Sequence, residues 1–142
     1  MVHVVQILAY TPRGKKSGAL HFTLEGRTFH ARCDADTDAA RGLFIAGASH
    51  PATLIVKVEG KAEYADPSEP QLSVLVSSDD GDRVSVLGRT WESVDHQTIK
   101  LDASPTVGLR LSLPQMATDF RGGSWLRATG MLCANLPPDE HD

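Results

Sequence analysis

Hydrophobic and polar residues alternate along most of this chain in short segments bounded by glycine, proline, serine or aspartate. Such alternation is the pattern of a half-buried β-strand, and strands at this spacing are typical of a barrel or a sandwich. Nine segments fit, at residues 2–10, 19–25, 27–33, 53–64, 71–77, 83–94, 97–102, 108–114 and 124–136.

The segment HFTLEGRTFH (21–30) is nearly symmetric about Glu25-Gly26 and predicts a β-hairpin with a two-residue turn. In that register His21 faces His30 and Phe22 faces Phe29. A slip by one residue would mix apolar and polar side chains on both faces, so the pattern itself favours this pairing. The glycine suits the positive φ of a type I′ turn, whereas glutamate is not favoured there.

A second hairpin is predicted around SDDGD (78–82). A three-residue loop with Gly81 in the left-handed region would pair Val76 with Val84 and Val74 with Val86. The side chains of Arg83, Ser85, Leu87, Arg89 and Trp91 would then share the opposite face.

The segment 34–52, DADTDAARGLFIAGASHPA, predicts the one helix of the chain. Asp36 or Thr37 can cap its start, acidic residues complement the dipole of its first turn, and Gly47 with Pro51 would end it.

These elements predict a mainly β protein: a single small barrel or sandwich of about eight or nine short strands with one helix. The order of strand, loop, hairpin, helix and further hairpins favours a barrel of the oligonucleotide-binding (OB) type. The predicted domain spans residues 1–136, and the acidic end at 137–142 is predicted to be a disordered tail.

The composition of the chain also bears on where in the cell the protein is located. No apolar run approaches the roughly 20 residues of a membrane span, and the first residues do not resemble a signal peptide. We therefore expect a cytoplasmic protein without a membrane partner. Cys33 and Cys133 are the only cysteines and are predicted to be buried free thiols. A barrel that is incompletely closed leaves a strand edge, from which we also predict a homo-oligomer.

Charge is unevenly distributed along the chain. The net charge is −4, yet residues 1–32 hold five basic residues and one acidic residue, a local charge of +4. A local basic surface can bind an anion on an acidic protein, because salt confines the field of each charge to about 8–10 Å.

The sequence contains no complete motif for catalysis or metal binding. His21 and His30 could share a zinc ion, but the nearby sequence supplies no third ligand. DADTD (34–38) lacks the glycine and glutamate of a calcium loop, and carboxylates there are explained by helix capping. The chain has no nucleophile elbow and no P-loop spacing. We therefore predict a protein that is not an enzyme and has no cofactor or metal.

Arginine and tryptophan alternate on two predicted strands. Arg89 and Trp91 share a face on one strand, and Trp125 and Arg127 repeat the arrangement on another. Single-stranded nucleic acid is bound by such surfaces, because bases stack on aromatic rings while basic side chains contact phosphates. The basic loop at 11–18 would flank the groove of an OB-type barrel. The predicted binding residues are Arg13, Lys15, Lys16, Arg89, Trp91, Trp125 and Arg127.

The sequence is also compatible with two alternatives. Trp91 and Trp125 could be core residues with each arginine at the rim of the barrel. The protein could also be a non-enzymatic assembly, accessory or inhibitor protein of phage or plasmid type, which binds another protein and needs no site chemistry.

Overall fold

The computed structural model describes residues 3–15, 17–33, 45–65, 74–77, 82–104, 106–114, 116 and 120–135. Its described part consists of strands, turns and loops. The strands are β1 (His3–Pro12), β2 (Gly18–Leu24), β3 (Arg27–Cys33), β4 (Ser49–Val58), β5 (Glu63–Tyr64), β6 (Val74–Ser77), β7 (Arg83–Ser93), β8 (Thr98–Ala103), β9 (Thr106–Ser112) and β10 (Trp125–Asn135). The mainly β prediction is confirmed.

All ten strands belong to one sheet, which closes on itself. The strand order is β5-β10-β3-β2-β1-β4-β9-β8-β7-β6, and β10 also pairs with β7. That pairing closes a circuit of eight strands, which confirms the predicted barrel and leaves only the short β5 and β6 outside it among the described strands. Closure removes most of the open edge from which self-association was predicted, so a homo-oligomer stays a prediction with less support.

A ladder between β4 and β10 divides the circuit into two rings of five strands. Residues 53–56 of β4 pair antiparallel with residues 132–135 of β10. The first ring contains β1, β2, β3, β10 and β4, and the second contains β7, β8, β9, β4 and β10. Each ring has one parallel contact, which joins β3 to β10 in the first and β4 to β9 in the second. The two long strands are therefore shared by both rings.

The β2–β3 hairpin has the predicted register. His21 pairs with His30 and Phe22 with Phe29. The side chains of Leu20, Phe22, Leu24, Phe29 and Ala31 are buried, as the pattern indicated. Glu25 and Gly26 have φ values of 49° and 80°, which are those of a type I′ turn.

The register of the β6–β7 hairpin differs from the prediction by one residue. Val76 pairs with Ser85 and Val74 with Leu87, whereas the predicted partners were Val84 and Val86. Residues 74–76 are all apolar, so the sequence pattern of β6 is compatible with either of two registers that differ by one residue. The faces of β7 were predicted correctly, since Val84 and Val86 are buried and Arg83, Ser85, Arg89 and Trp91 are exposed.

The predicted helix is not found among the described residues. Residues 34–44 lie outside them, as do Lys16 and the tail at 137–142, and residues 49–52 are strand. Ser49 to Ala52 form the first half of β4 and pair with His3 to Gln6 of β1. The helix prediction used only local caps, whereas this ladder satisfies the backbone groups of residues 49–52 through a segment more than 40 positions away.

The barrel interior is filled mainly by aliphatic side chains from every long strand. The largest fully buried side chains are Phe22, Phe29, Ile7, Leu20, Leu54, Ile99, Leu101, Leu109, Leu111, Leu126 and Leu132. Phe22 and Phe29 lie 5.9 Å apart between ring centroids, so the aromatic pair of the hairpin is part of this core. Cys33 and Cys133 are buried thiols that form no disulfide, as predicted.

We expect Phe22→Ala to lower the free energy of unfolding by about 3–5 kcal/mol, because a fully buried ring is removed from a close-packed core. Thr28→Ala is the matched control on the exposed face of the same hairpin and should cost less than about 1 kcal/mol. Urea unfolding followed by circular dichroism measures both. Equal losses for the two variants would contradict the assignment of the faces.

We expect Glu25→Asn to raise the free energy of unfolding by about 1 kcal/mol. Glu25 adopts a left-handed backbone that asparagine tolerates better than glutamate. The same unfolding measurement tests this change. A loss of stability in the asparagine variant would show that the glutamate side chain makes a compensating contact.

Candidate nucleic-acid interface

The predicted arginine and tryptophan residues meet on the outer face of β7 and β10. Trp125 pairs directly with Arg89, and Arg127 pairs with Leu87 on the same ladder. The neighbouring positions Leu126, Ala128 and Val86 point into the barrel and are buried. Alternation along both strands therefore sends the arginines and tryptophans outward together.

The two tryptophans lie outside the core cluster. Trp91 is 38% exposed and Trp125 is partly buried. Arg89 and Arg127 are exposed. These burial values are those of an outward surface rather than of a barrel interior, where the large side chains are fully buried.

A short loop before β10 positions Arg89. The Nε of Arg89 donates a hydrogen bond to the carbonyl of Gly123 at 3.2 Å. Thr90 holds the same loop, because its hydroxyl donates to the carbonyl of Arg121 at 2.8 Å and accepts from the amide of Ser124 at 3.1 Å. Gly123 has a φ of 82°, which favours glycine at this point of the loop. The guanidinium of Arg89 is thereby held next to the position of Trp125.

Sequence reasoning missed an aromatic pair near the start of β10. This pair lies on the side of the sheet opposite to Trp125, since Tyr64 pairs with the inward-pointing Leu126 and Phe120 packs against the core. Tyr64 and Phe120 are in edge-to-face contact, with 5.3 Å between ring centroids. Tyr64 is 50% exposed, and its hydroxyl accepts a hydrogen bond from the backbone amide of Arg121 at 3.2 Å. Tyr64 reaches this place because β5 pairs with the start of β10. That pairing joins residues more than 60 positions apart, so no local pattern could have indicated it.

We define the aromatic face as Arg89, Trp91, Trp125 and Arg127, which share the outer side of β7 and β10. It holds two tryptophans and two arginines around the first residues of β10. Two acidic residues are close. Asp102 pairs with Arg89 across the β7–β8 ladder, and Glu63 pairs with Arg127 across the β5–β10 ladder and forms an exposed ion pair with Lys61 at 3.8 Å. The face therefore combines aromatic rings with charges of both signs.

The basic loop lies elsewhere. Arg13 and Lys15 are exposed in the β1–β2 loop, which belongs to the first ring. Arg13 borders a cavity together with Asp82, the residue before β7. Arg89 follows Asp82 by seven residues, which is about 23 Å along an extended strand. The structure thus brings together Arg89, Trp91, Trp125 and Arg127, and it places Arg13 and Lys15 near the other end of β7.

His21 and His30 form a stacked pair on the polar face of the hairpin. Their ring centroids are 4.1 Å apart and the rings are nearly parallel, at 14°. Partial burial lowers the pKa of His21 below its ordinary value, and the adjacent charge of His30 lowers it further. Among the described residues no group of three or more potential ligands could hold a metal ion.

Comparison with known proteins leaves the function to be argued from the site. No protein-family model, no curated protein and no solved structure matches this chain. Within the described residues, no helix has the length and hydrophobicity needed to cross a membrane.

We expect the folded protein to lose stability as the pH falls below about 6.5. The pKa of His21 is lower in the folded than in the unfolded chain, so the unfolded chain binds more protons in this range. The contribution of His21 to stability should be fully lost below the pKa that His21 has in the folded chain. Thermal melts at pH 7.5 and 5.5 should show a smaller difference for His21→Gln than for the original chain.

His30→Gln is the companion variant for this pH test. It removes the charge of His30, the smaller of the two causes, together with the stacked ring, but leaves the titrating His21 in place, so it should reduce the pH difference less than His21→Gln does. If His21→Gln leaves the difference between the two melting temperatures unchanged, His21 is not the group responsible.

Proposed function

We propose that this protein binds single-stranded nucleic acid through the aromatic face. The observation that carries the proposal is the direct pairing of Trp125 with Arg89 on the outer surface of the barrel, with Trp91 exposed beside them. An exposed ring offers a stacking platform to any base, and a guanidinium next to it can contact the adjoining phosphate.

The strand order of the first ring supports an OB-type assignment. In it β1, β2 and β3 form an antiparallel meander, β3 is parallel to the last strand β10, and β4 closes on β1. This is the five-stranded order of an OB-type barrel, in which the β1–β2 loop and the connection between the last two strands flank the binding groove. Here that connection contains β5 to β9 and carries Arg89 and Trp91 of the aromatic face.

The charge of the protein sets the conditions for binding. With a net charge of −4, affinity depends on a few local arginines, and counterion release should make it fall with salt. We propose moderate binding at low or intermediate salt, without an enzymatic step or cofactor. A cytoplasmic location and self-association through the short edges of β5 and β6 remain parts of the proposal.

We expect the fluorescence of the tryptophans to change on titration with oligo-dT at 50 mM salt, and the affinity to fall at 200 mM salt. Trp125→Ala should weaken binding by about 1–3 kcal/mol, the value of one stacked base. Trp91 remains as the reporter in that variant. Lys15→Ala with Lys16→Ala should lower affinity for all sequences about equally and flatten the dependence on salt.

The matched control is Arg27→Gln, which removes an exposed arginine at the turn of the β2–β3 hairpin, away from the aromatic face. It should leave oligo-dT affinity within about twofold, whereas Arg89→Gln should reduce it about tenfold. Equal losses of oligo-dT affinity in the two arginine variants would show that binding is general electrostatic attraction and does not depend on the aromatic face. Unchanged fluorescence and mobility with oligo-dT would contradict the proposal.

The alternative is a non-enzymatic assembly, accessory or inhibitor protein that binds another protein. One observation favours it: β1 exposes apolar side chains on its outer face, with Val4 64% and Leu8 37% exposed. Exposed apolar groups that share a strand face are common at protein interfaces. A protein that fails to bind oligo-dT but self-associates or binds a protein partner through β1 would support this alternative.

A further inference from the structure

A cavity of about 560 Å³ lies where the first ring meets the start of β7. Its wall includes Arg13 and Ser17 from the β1–β2 loop, His30 and Arg32 from β3, and Asp82. The volume lies within the range of about 300–1,000 Å³ that is usual for small-molecule sites. None of these residues belongs to the aromatic face.

The fold explains why these side chains converge. His30 and Arg32 are two apart on β3, so both point outward, away from the buried Phe29 and Ala31. The backbone amide of Arg13 donates to the carbonyl of Ser17 at 2.9 Å, which closes the loop beside the start of β2.

One further contact shapes the cavity. Asp82 is brought to it because its carbonyl accepts a hydrogen bond from the amide of Leu132, next to the Cys133–Arg32 pair.

The chemistry of the wall is that of an anion site. Arg13 and Arg32 present guanidinium groups, which match the geometry of phosphate oxygens better than lysine does. His30 and Ser17 add further hydrogen-bond donors, and His21 supports the ring of His30 by stacking on it at 4.1 Å. The surrounding segment, residues 1–32, has a net charge of +4. The carboxylate of Asp82 is the one opposing charge among the described residues that line the cavity.

We infer that this cavity binds a phosphate group, held by Arg13 and Arg32 with His30 as a supporting wall. The group can belong to inorganic phosphate or to a nucleotide. The inference does not depend on the aromatic face, because the two surfaces share no residue.

The test is a titration of the full chain, followed by the NMR shifts of the amides of Gly18, Ala19 and Ala31, which border the cavity. The ligands are inorganic phosphate, thymidine monophosphate and thymidine. We expect both phosphate-bearing ligands to shift these amides and thymidine to leave them unchanged. Tighter binding of thymidine monophosphate than of inorganic phosphate would assign the site to a nucleotide.

Two variants with opposite expected effects on phosphate affinity test the site further. Arg32→Gln should weaken phosphate binding about tenfold, because one charged donor is lost. Asp82→Asn should tighten it about threefold, because it removes a negative charge beside the anion. Arg27→Gln, on the same strand as Arg32 but at its far end, should have no effect. Thermal melts show whether each variant is folded.

The outcomes separate this inference from the proposed function. Trp125→Ala should leave phosphate binding unchanged, so a failure to bind oligo-dT does not remove the cavity site. The inference is overturned if thymidine shifts the amides as strongly as its monophosphate. It is also overturned if folded Arg32→Gln and Arg13→Gln bind phosphate as tightly as the original chain.

Discussion

The ladder between β4 and β10 is the interaction on which the rest of the structure depends. Each strand uses one part of its length in the first ring and another part in the second, so both rings close only if these two strands pair. The approach is close at Gly130, where a side chain would collide with the carbonyl of Lys57. Glycine is therefore required where β10 passes from one ring to the other.

This shared pair of strands also sets the distance between the two candidate surfaces. The aromatic face forms around the first residues of β10, where β5 and β7 flank it. The cavity lined by Arg13, Arg32 and Asp82 lies near Leu132 and Cys133, where β10 leaves β7 and meets β3. A strand of nucleic acid that follows β7 would pass from one surface to the other. Arg83 lies along β7 between the two surfaces, and its guanidinium forms an ion pair with the carboxylate of Glu59.

Local patterns predicted what depends on neighbouring residues. The β2–β3 hairpin was predicted in full, because its symmetric alternation allows only one register that buries Phe22 and Phe29. The β6–β7 register was wrong, because three consecutive apolar residues at 74–76 fit either register. The helix prediction was wrong at Ser49–Ala52, because pairing with β1 overrides a local helix signal.

The candidate site also has one part that local sequence predicts and another part that depends on strand pairing. The sequence by itself determined the alternation that places Arg89 beside Trp91 and Trp125 beside Arg127, since side chains two apart on a strand share a face. Only the tertiary structure decided that the two strands are neighbours, that Asp102 lies beside Arg89, and that Arg13 lies beside Arg32 and Asp82 instead. These contacts join residues from about 13 to 70 positions apart. Strand pairing over such separations depends on how the whole barrel closes, and a local pattern carries no information about that closure.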